Sequence, residues 1–361
     1  MKKVFSTLIV ILTLFGAASA QEKVQNVIFM IGDGMGLAQV SALMIENGYR
    51  PTAFDRAQSV ALAKTYSANN RVTDSAASGT ALATGVKTRN KTLGVDPEGA
   101  PVRSILKKAE ERGLATGLVV TSDIVHATPG AFYAHVDNRS KYEEIALQLS
   151  DEDIDVLFGG GMGYFNKRKD GQNLVKKMQA KGYTVTDRWE EVEGLSKGKV
   201  AGLFREFGHL LPIVEGRDSL YLAKATGKAL EILSNDNPEG FFLMVEGSQI
   251  DFEGHDNDLP ALLAEMRDFD RAVTVAFDYA DQHPGTLVVV TADHETGGLS
   301  IASRSDDFTA AESGLSYRFG TEDHSGTLVP VYAYGTEAGQ FRGVMENIDI
   351  NRLLTRLLLG E

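Results

Sequence analysis

The chain has 361 residues, no cysteine, and 36 Lys and Arg against 49 Asp and Glu, for a formal charge of −13 at pH 7. An acidic surface excludes nucleic acid and anionic membranes as partners. A chain without thiols has no disulfide and can hold a metal only through His, Asp and Glu, so a large core must hold the fold together.

Residues 1–20, "MKKVFSTLIVILTLFGAASA", place two lysines before a short apolar run and end in a small-residue A-x-A. The run is roughly 13 residues, short of the ~20 that a membrane helix needs. This predicts a secretory signal and an exported protein, periplasmic or secreted. Its removal leaves 341 residues with a charge of −15, because Lys2 and Lys3 leave with it.

Four apolar runs of strand length each end in an acid: "NVIFMIGD" (26–33), "TGLVVTSD" (116–123), "FFLMVE" (241–246) and "TLVVVTAD" (286–293). Unbroken Val, Ile, Leu and Phe suit strands covered on both faces. Helical patterns such as "VRSILKKAEERG" (102–113) and "LLAEMRDFDRAVTVAFDYA" (262–280) lie between them. The alternation predicts an α/β three-layer sandwich, with a large, mostly parallel central sheet and helices on both faces. Residues 21–361 read as one domain. The polar, Gly-rich stretch 165–240 and the excursion 303–325 read as peripheral insertions.

In such sheets ligands gather beyond the carboxyl ends of the strands, where Asp33, Glu246 and Asp293 fall. "GDGMG" (32–36) lacks the lysine of a Walker A loop and the third glycine of a dinucleotide loop, and instead presents Asp33 from an uncrowded backbone. "VTDSAASGTALATG" (72–85) sets Asp74 and Ser75 before a run of tiny residues. Its plain reading is a helix N-cap, and its lack of bulk implies a close neighbour. "HATPGAFYAHVDNR" (126–139) supplies His126, Thr128, His135 and Arg139. An exposed arginine mostly adds solubility, but a guanidinium aimed into a site grips two phosphoryl oxygens.

In "MVEGSQIDFEGH" (244–255), a helix would bring Asp251 and His255 together at i and i+4, about 5–6 Å apart. The alternative is a surface turn with a chance pair. "TADHETGG" (291–298) places Asp293 and His294 at a strand end, where neighbours point to opposite faces. They can share an ion only across a turn, and a buried core histidine is the competing reading. His324 precedes the strand "LVPVYAYG".

Taken together in chain order, "MIGDGMG", "TDSAASGTALATGVKT", "ATPGAFYAH", "EGSQID", "GH", "TADHETGG" and "DHSGT" resemble the alkaline phosphatases across nearly the whole mature length. The resemblance implies a phosphomonoesterase with Ser75 as nucleophile, a phosphoserine intermediate, Arg139 on the phosphoryl oxygens and Asp74 orienting Arg139. It implies one zinc on Asp251, His255 and His324, and a second on Asp33, Asp293 and His294. A third site, usually magnesium, would take Asp33, Glu246 and Thr128. Three dications would turn the acid cluster net positive and let a phosphate dianion bind.

Two positions depart from the best-known bacterial pattern, which has aspartate at the place of His126 and lysine at the place of Phe252. His126 could turn the third site toward zinc, and the loss of both groups implies weaker phosphate inhibition. Small phosphate monoesters are the implied substrates, with monomer and homodimer both open. The rivals are a phosphodiesterase or sulfatase of the same superfamily, and a secreted metal- or phosphate-binding protein without turnover.

Overall fold

The computed structural model describes residues 23–304 and 314–361; the expected signal at 1–20 and the middle of the 303–325 excursion lie outside the described residues. The strands are β1 (Asn26–Gly32), β2 (Ser59–Lys64), β3 (Ala115–Asp123), β4 (Val156–Gly160), β5 (Thr184–Thr186), β6 (Val200–Leu203) and β7 (Phe241–Gly247). They continue as β8 (Thr286–Thr291), β9 (Glu295–Thr296), β10 (Ser300–Ser303), β11 (Leu315–Arg318), β12 (His324–Ser325), β13 (Val329–Gly335) and β14 (Gly343–Glu346).

Ten strands form the central sheet in the order β14-β2-β13-β8-β1-β7-β3-β4-β6-β5. Only β13 runs against the rest. β1, β3, β7 and β8 are buried almost throughout, which is why their sequences are continuous apolar runs rather than alternating ones. Helices Tyr221–Asp236 and Leu259–Gln282 pack on each other and on the central strands. Ser75–Thr84, Ile105–Glu111 and Asn347–Leu359 pack together as a second helical layer. The 24-residue helix Leu259–Gln282 starts where Asp258 accepts a hydrogen bond from Ala261 N, and it buries Leu262, Met266, Phe269, Val273 and Phe277 at helical spacing.

The stretch 165–240 is more than a surface insertion. It supplies β5 and β6, which extend the sheet beyond β4, and the 16-residue helix Tyr221–Asp236. Strands of three and four residues carry too little periodicity to be seen in a polar sequence. Of the 303–325 excursion, Leu315–Arg318 pairs antiparallel with β10, and β12 pairs with β9.

Candidate active site

Adjacent strands β8, β1 and β7 run in register, Ile31 standing beside both Glu246 and Thr291. Asp33 just past β1, Glu246 in β7 and Asp293 just past β8 therefore meet at one edge of the sheet. All three are 0% exposed. Gly34 makes the approach possible: at φ +74° its position would put a Cβ 2.8 Å from the Asp251 Cα.

The helix Ser75–Thr84 begins at this edge. Asp74 is its N-cap, accepting from Ala77 N at 3.0 Å, and Ser75 is its first residue. Ser75 Oγ lies 3.2 Å from His294 Nε2. Ser78 Oγ donates to the Asp293 carbonyl at 2.6 Å, tying the helix to the strand-end loop. The small residues serve packing: nine of the ten helix positions are buried, and a Cβ at Gly79 would stand 3.2 Å from Ala131 and 3.4 Å from Thr128 Cα. Close contact with the Thr128 segment, in addition to the helix start, accounts for the run of Ala and Gly.

Asp251 and His255 lie on the helix Gln249–His255, and His255 Nε2 is 3.4 Å from Asp251 Oδ2. His324 arrives through the β12–β9 pair, which sets it opposite Thr296. Its Nε2 is 3.6 Å from Asp251 Oδ1 and 3.2 Å from His255 Nε2. Each of these imidazoles turns Nδ1 to a carbonyl, His255 to Glu322 at 2.5 Å and His324 to Thr73 at 2.9 Å. A carbonyl only accepts, so Nδ1 donates in each ring and both Nε2 atoms are left turned toward the Asp251 carboxylate and each other. A cation satisfies that arrangement.

Three groups of side chains have ligand atoms within 4.8 Å of one another: Asp251, His255 and His324; Asp33, Asp251 and His294; and Asp33, His126 and Glu246. Asp293 Oδ2 also lies 3.2 Å from His294 Nε2, because β8 ends at Thr291 and the following turn brings the two neighbours together. Both Asp33 oxygens, Glu246 Oε1, Asp293 Oδ2, Thr128 Oγ1 and His126 Nδ1 are buried without a hydrogen-bond partner. Buried carboxylates are expensive unless paired or bound to metal, so this donor set fits divalent cations.

The electrostatics agree. Burial, with the charges of Asp293, Asp251 and Glu246, holds Asp33 well above the ordinary carboxylate range. Burial raises Glu246 to about 7 and Asp293 to about 6. Burial also opposes ionisation of Asp251, but the hydrogen bond to His255 and the nearby His294 and His324 outweigh it and hold Asp251 low. Burial, followed by the neighbouring charge of His324, keeps His294 well below its usual value.

Arg139 reaches the site from a loop. Its Nη1 donates to Asp74 Oδ2 at 3.3 Å and its Nη2 donates to His126 Nε2 at 3.1 Å. Phe252 stands 5.7 Å from the His126 ring. His135 is not brought to the site; its Nδ1 donates to the Gly94 carbonyl at 2.6 Å. Two neighbours went unread in the sequence. Thr296 Oγ1 donates to Asp251 Oδ1 and lies 3.2 Å from His294 Nδ1. His209, from the polar stretch, stacks on Phe252 with ring centroids 4.0 Å apart. Thr296 stood inside a quoted motif, whereas nothing in the sequence near His209 signals proximity.

Fold and site together define an α/β enzyme built to handle an anionic ester. Residues 24–316 match the family model described as alkaline phosphatase. Alkaline phosphatase 4 of Bacillus subtilis is 35% identical over 421 aligned positions, covering 95% of this chain and 91% of that protein. The solved alkaline phosphatase of the Antarctic bacterium TAB5 superposes with a TM-score of 0.86 at 35% identity, covering 94% of this chain and 98% of that one. A variant of the TAB5 enzyme with one histidine replaced by aspartate, solved with magnesium in its M3 site, gives the same TM-score and identity over 94% and 99% of the two chains. The chain belongs to the alkaline phosphatase family, enzymes that hydrolyse phosphate monoesters.

Proposed function

We propose that Ser75 is the nucleophile of this phosphomonoesterase and takes the phosphoryl group in the first of two in-line displacements. The observation that carries this reading is Ser75, a residue 1% exposed on the first turn of a helix, with its Oγ 3.2 Å from His294 Nε2. The first-turn amides and the helix dipole favour an arriving anion. The bond from Ser75 Oγ to phosphorus forms as the ester P–O bond breaks, the serine proton passes to solvent, and the departing alkoxide takes a proton from solvent. Water then displaces Ser75 and releases inorganic phosphate.

Arg139 grips the equatorial oxygens, and its fork is held for that task by the Asp74 carboxylate. Asp251, His255 and His324 would hold one zinc, and Asp33, Asp293 and His294 a second, with Asp251 within reach. Asp33, Glu246 and Thr128 would hold a third ion. Bound cations supply Lewis-acid charge that makes Ser75 more acidic and offsets charge on the leaving oxygen. Magnesium prefers oxygen donors, and the TAB5 variant with one histidine replaced by aspartate carries magnesium in its M3 site. The nitrogen of His126 beside Asp33 and Glu246 favours zinc there. Residues 1–20 direct export, and the remainder works as one catalytic domain.

The test is Ser75→Ala in the metal-loaded enzyme. Turnover of p-nitrophenyl phosphate falls by roughly 10³-fold or more. Acid-quenched wild type yields a phosphopeptide containing Ser75 that the variant lacks. Full turnover in the variant removes the mechanism.

A further inference from the structure

The segment 204–211 leaves β6 and borders two places at once. His209 lies on Phe252 beside the catalytic centre, while Phe204, Arg205 and Leu210 line a separate cavity of about 560 Å³. That cavity opens past the carboxyl ends of β5 and β6, at the sheet edge where open α/β folds bind ligands, and its volume suits a small organic molecule.

Trp189, Phe204 and Tyr221 form a cup of edge-to-face rings with centroids 5.6, 6.0 and 5.9 Å apart. Such a cup offers a flat apolar face to a planar ring. The Tyr221 hydroxyl and Arg217 Nε are buried with no hydrogen-bond partner, although both residues line the cavity. Buried polar atoms left this way cost free energy until something bonds them.

The cations differ in how they are engaged. Arg217 pairs with Glu265 and Asp268, and Arg188 pairs with Glu191. Arg205 donates one nitrogen to the His209 carbonyl and forms no direct ion pair among the described residues. Asp187 and Glu190 also border the cavity, so the attraction for an anion comes from Arg205 and the buried donors rather than from the wall as a whole.

We propose that this cavity is an accessory binding site for a planar aromatic anion. The ring of an aryl sulfonate, carboxylate or phosphate lies in the Trp189, Phe204 and Tyr221 cup. Its anionic group takes Arg205, Arg217 Nε and the Tyr221 hydroxyl. Trp189 is the sole tryptophan of the chain, so its emission reports this cavity directly.

The experiment titrates the metal-loaded enzyme with naphthalene-2-sulfonate, which cannot be hydrolysed as a phosphate ester, and follows Trp189 emission and binding heat. A saturable change that persists in excess inorganic phosphate is expected. Binding should be about tenfold weaker for neutral 2-naphthalenemethanol, and by a similar factor in Arg205→Gln. Tyr221→Phe should weaken it by a smaller factor without lowering the melting temperature. No saturable change, a change abolished by phosphate, or equal affinity for the neutral compound overturns the proposal. The last comparison needs only wild-type protein and so decides the matter even if a variant fails to fold.

Discussion

Arg139 is clamped between two side chains, with Nη2 donating to His126 Nε2 at 3.1 Å and Nη1 to Asp74 Oδ2 at 3.3 Å. A guanidinium only donates, so His126 accepts through Nε2 and carries its proton on Nδ1 while it serves this bond; a cation held by Nδ1 would move that proton to Nε2 instead and release Arg139 to Asp74 alone. Burial, then the charge of Arg139, keeps His126 well below its usual pKa, and the neutral ring is the acceptor form. Asp74 does two things through one carboxylate: it caps the nucleophile's helix and fixes the arginine.

Those two roles separate by substitution. Asp74→Ser keeps a capping oxygen but removes the charged partner of Arg139, whereas Asp74→Ala removes both. The serine variant should stay within about 0.5 kcal/mol of wild type in urea unfolding, and the alanine variant should lose ~1 kcal/mol. Both should lose about tenfold in kcat/KM for p-nitrophenyl phosphate. Unaltered kinetics in the serine variant would show that the carboxylate does not hold Arg139 for the reaction.

Phe252 faces His126 and His209 with an apolar ring where a lysine would place a cation. Phe252→Lys should tighten inhibition by inorganic phosphate about tenfold, corresponding to ~1.4 kcal/mol, with slower release of product. The inhibition constant measured side by side for the two proteins checks this. An unchanged constant counts against a phosphate-facing role for position 252.

Removing the ions tests the acid cluster. Asp33, Glu246, Asp251 and Asp293 are at most 4% exposed, and their mutual repulsion has no other complete compensation. Chelation should abolish turnover and lower the melting temperature by roughly 5 °C or more, because a ligand that binds only the folded state stabilises it. Zinc and magnesium restored separately should each recover part of the activity and both together the whole. Equal melting temperatures with and without chelator would mean that the carboxylates need no ions.

A pH effect is expected far from the catalytic residues. Asp268, 1% exposed, has its pKa raised to about 6 by burial, with Arg217 partly opposing. The folded state therefore binds a proton more tightly than the unfolded chain, so this group's stabilisation is present at acid pH and is lost as pH rises through about 6. Between pH 4 and pH 7, wild type should lose roughly 2 kcal/mol relative to Asp268→Asn. Urea unfolding of both proteins across that range gives the difference, and a flat difference rules the effect out.

Local patterns were legible without a structure. Continuous apolar runs marked β1, β3, β7 and β8 because strands covered on both faces tolerate little else. The i, i+4 spacing of Asp251 and His255 was readable because a helix sets it within one turn. The cap at Asp74 was readable for the same reason. Tertiary structure alone decided that His324 meets His255, through a β12–β9 pair of two residues each, and that the polar stretch 165–240 builds one end of the sheet. It alone placed His209 on Phe252 and the tryptophan cup past β6. Periodicity reports how a segment meets its immediate surroundings, while strand order and loop docking depend on contacts between residues far apart in the chain, which no single stretch encodes.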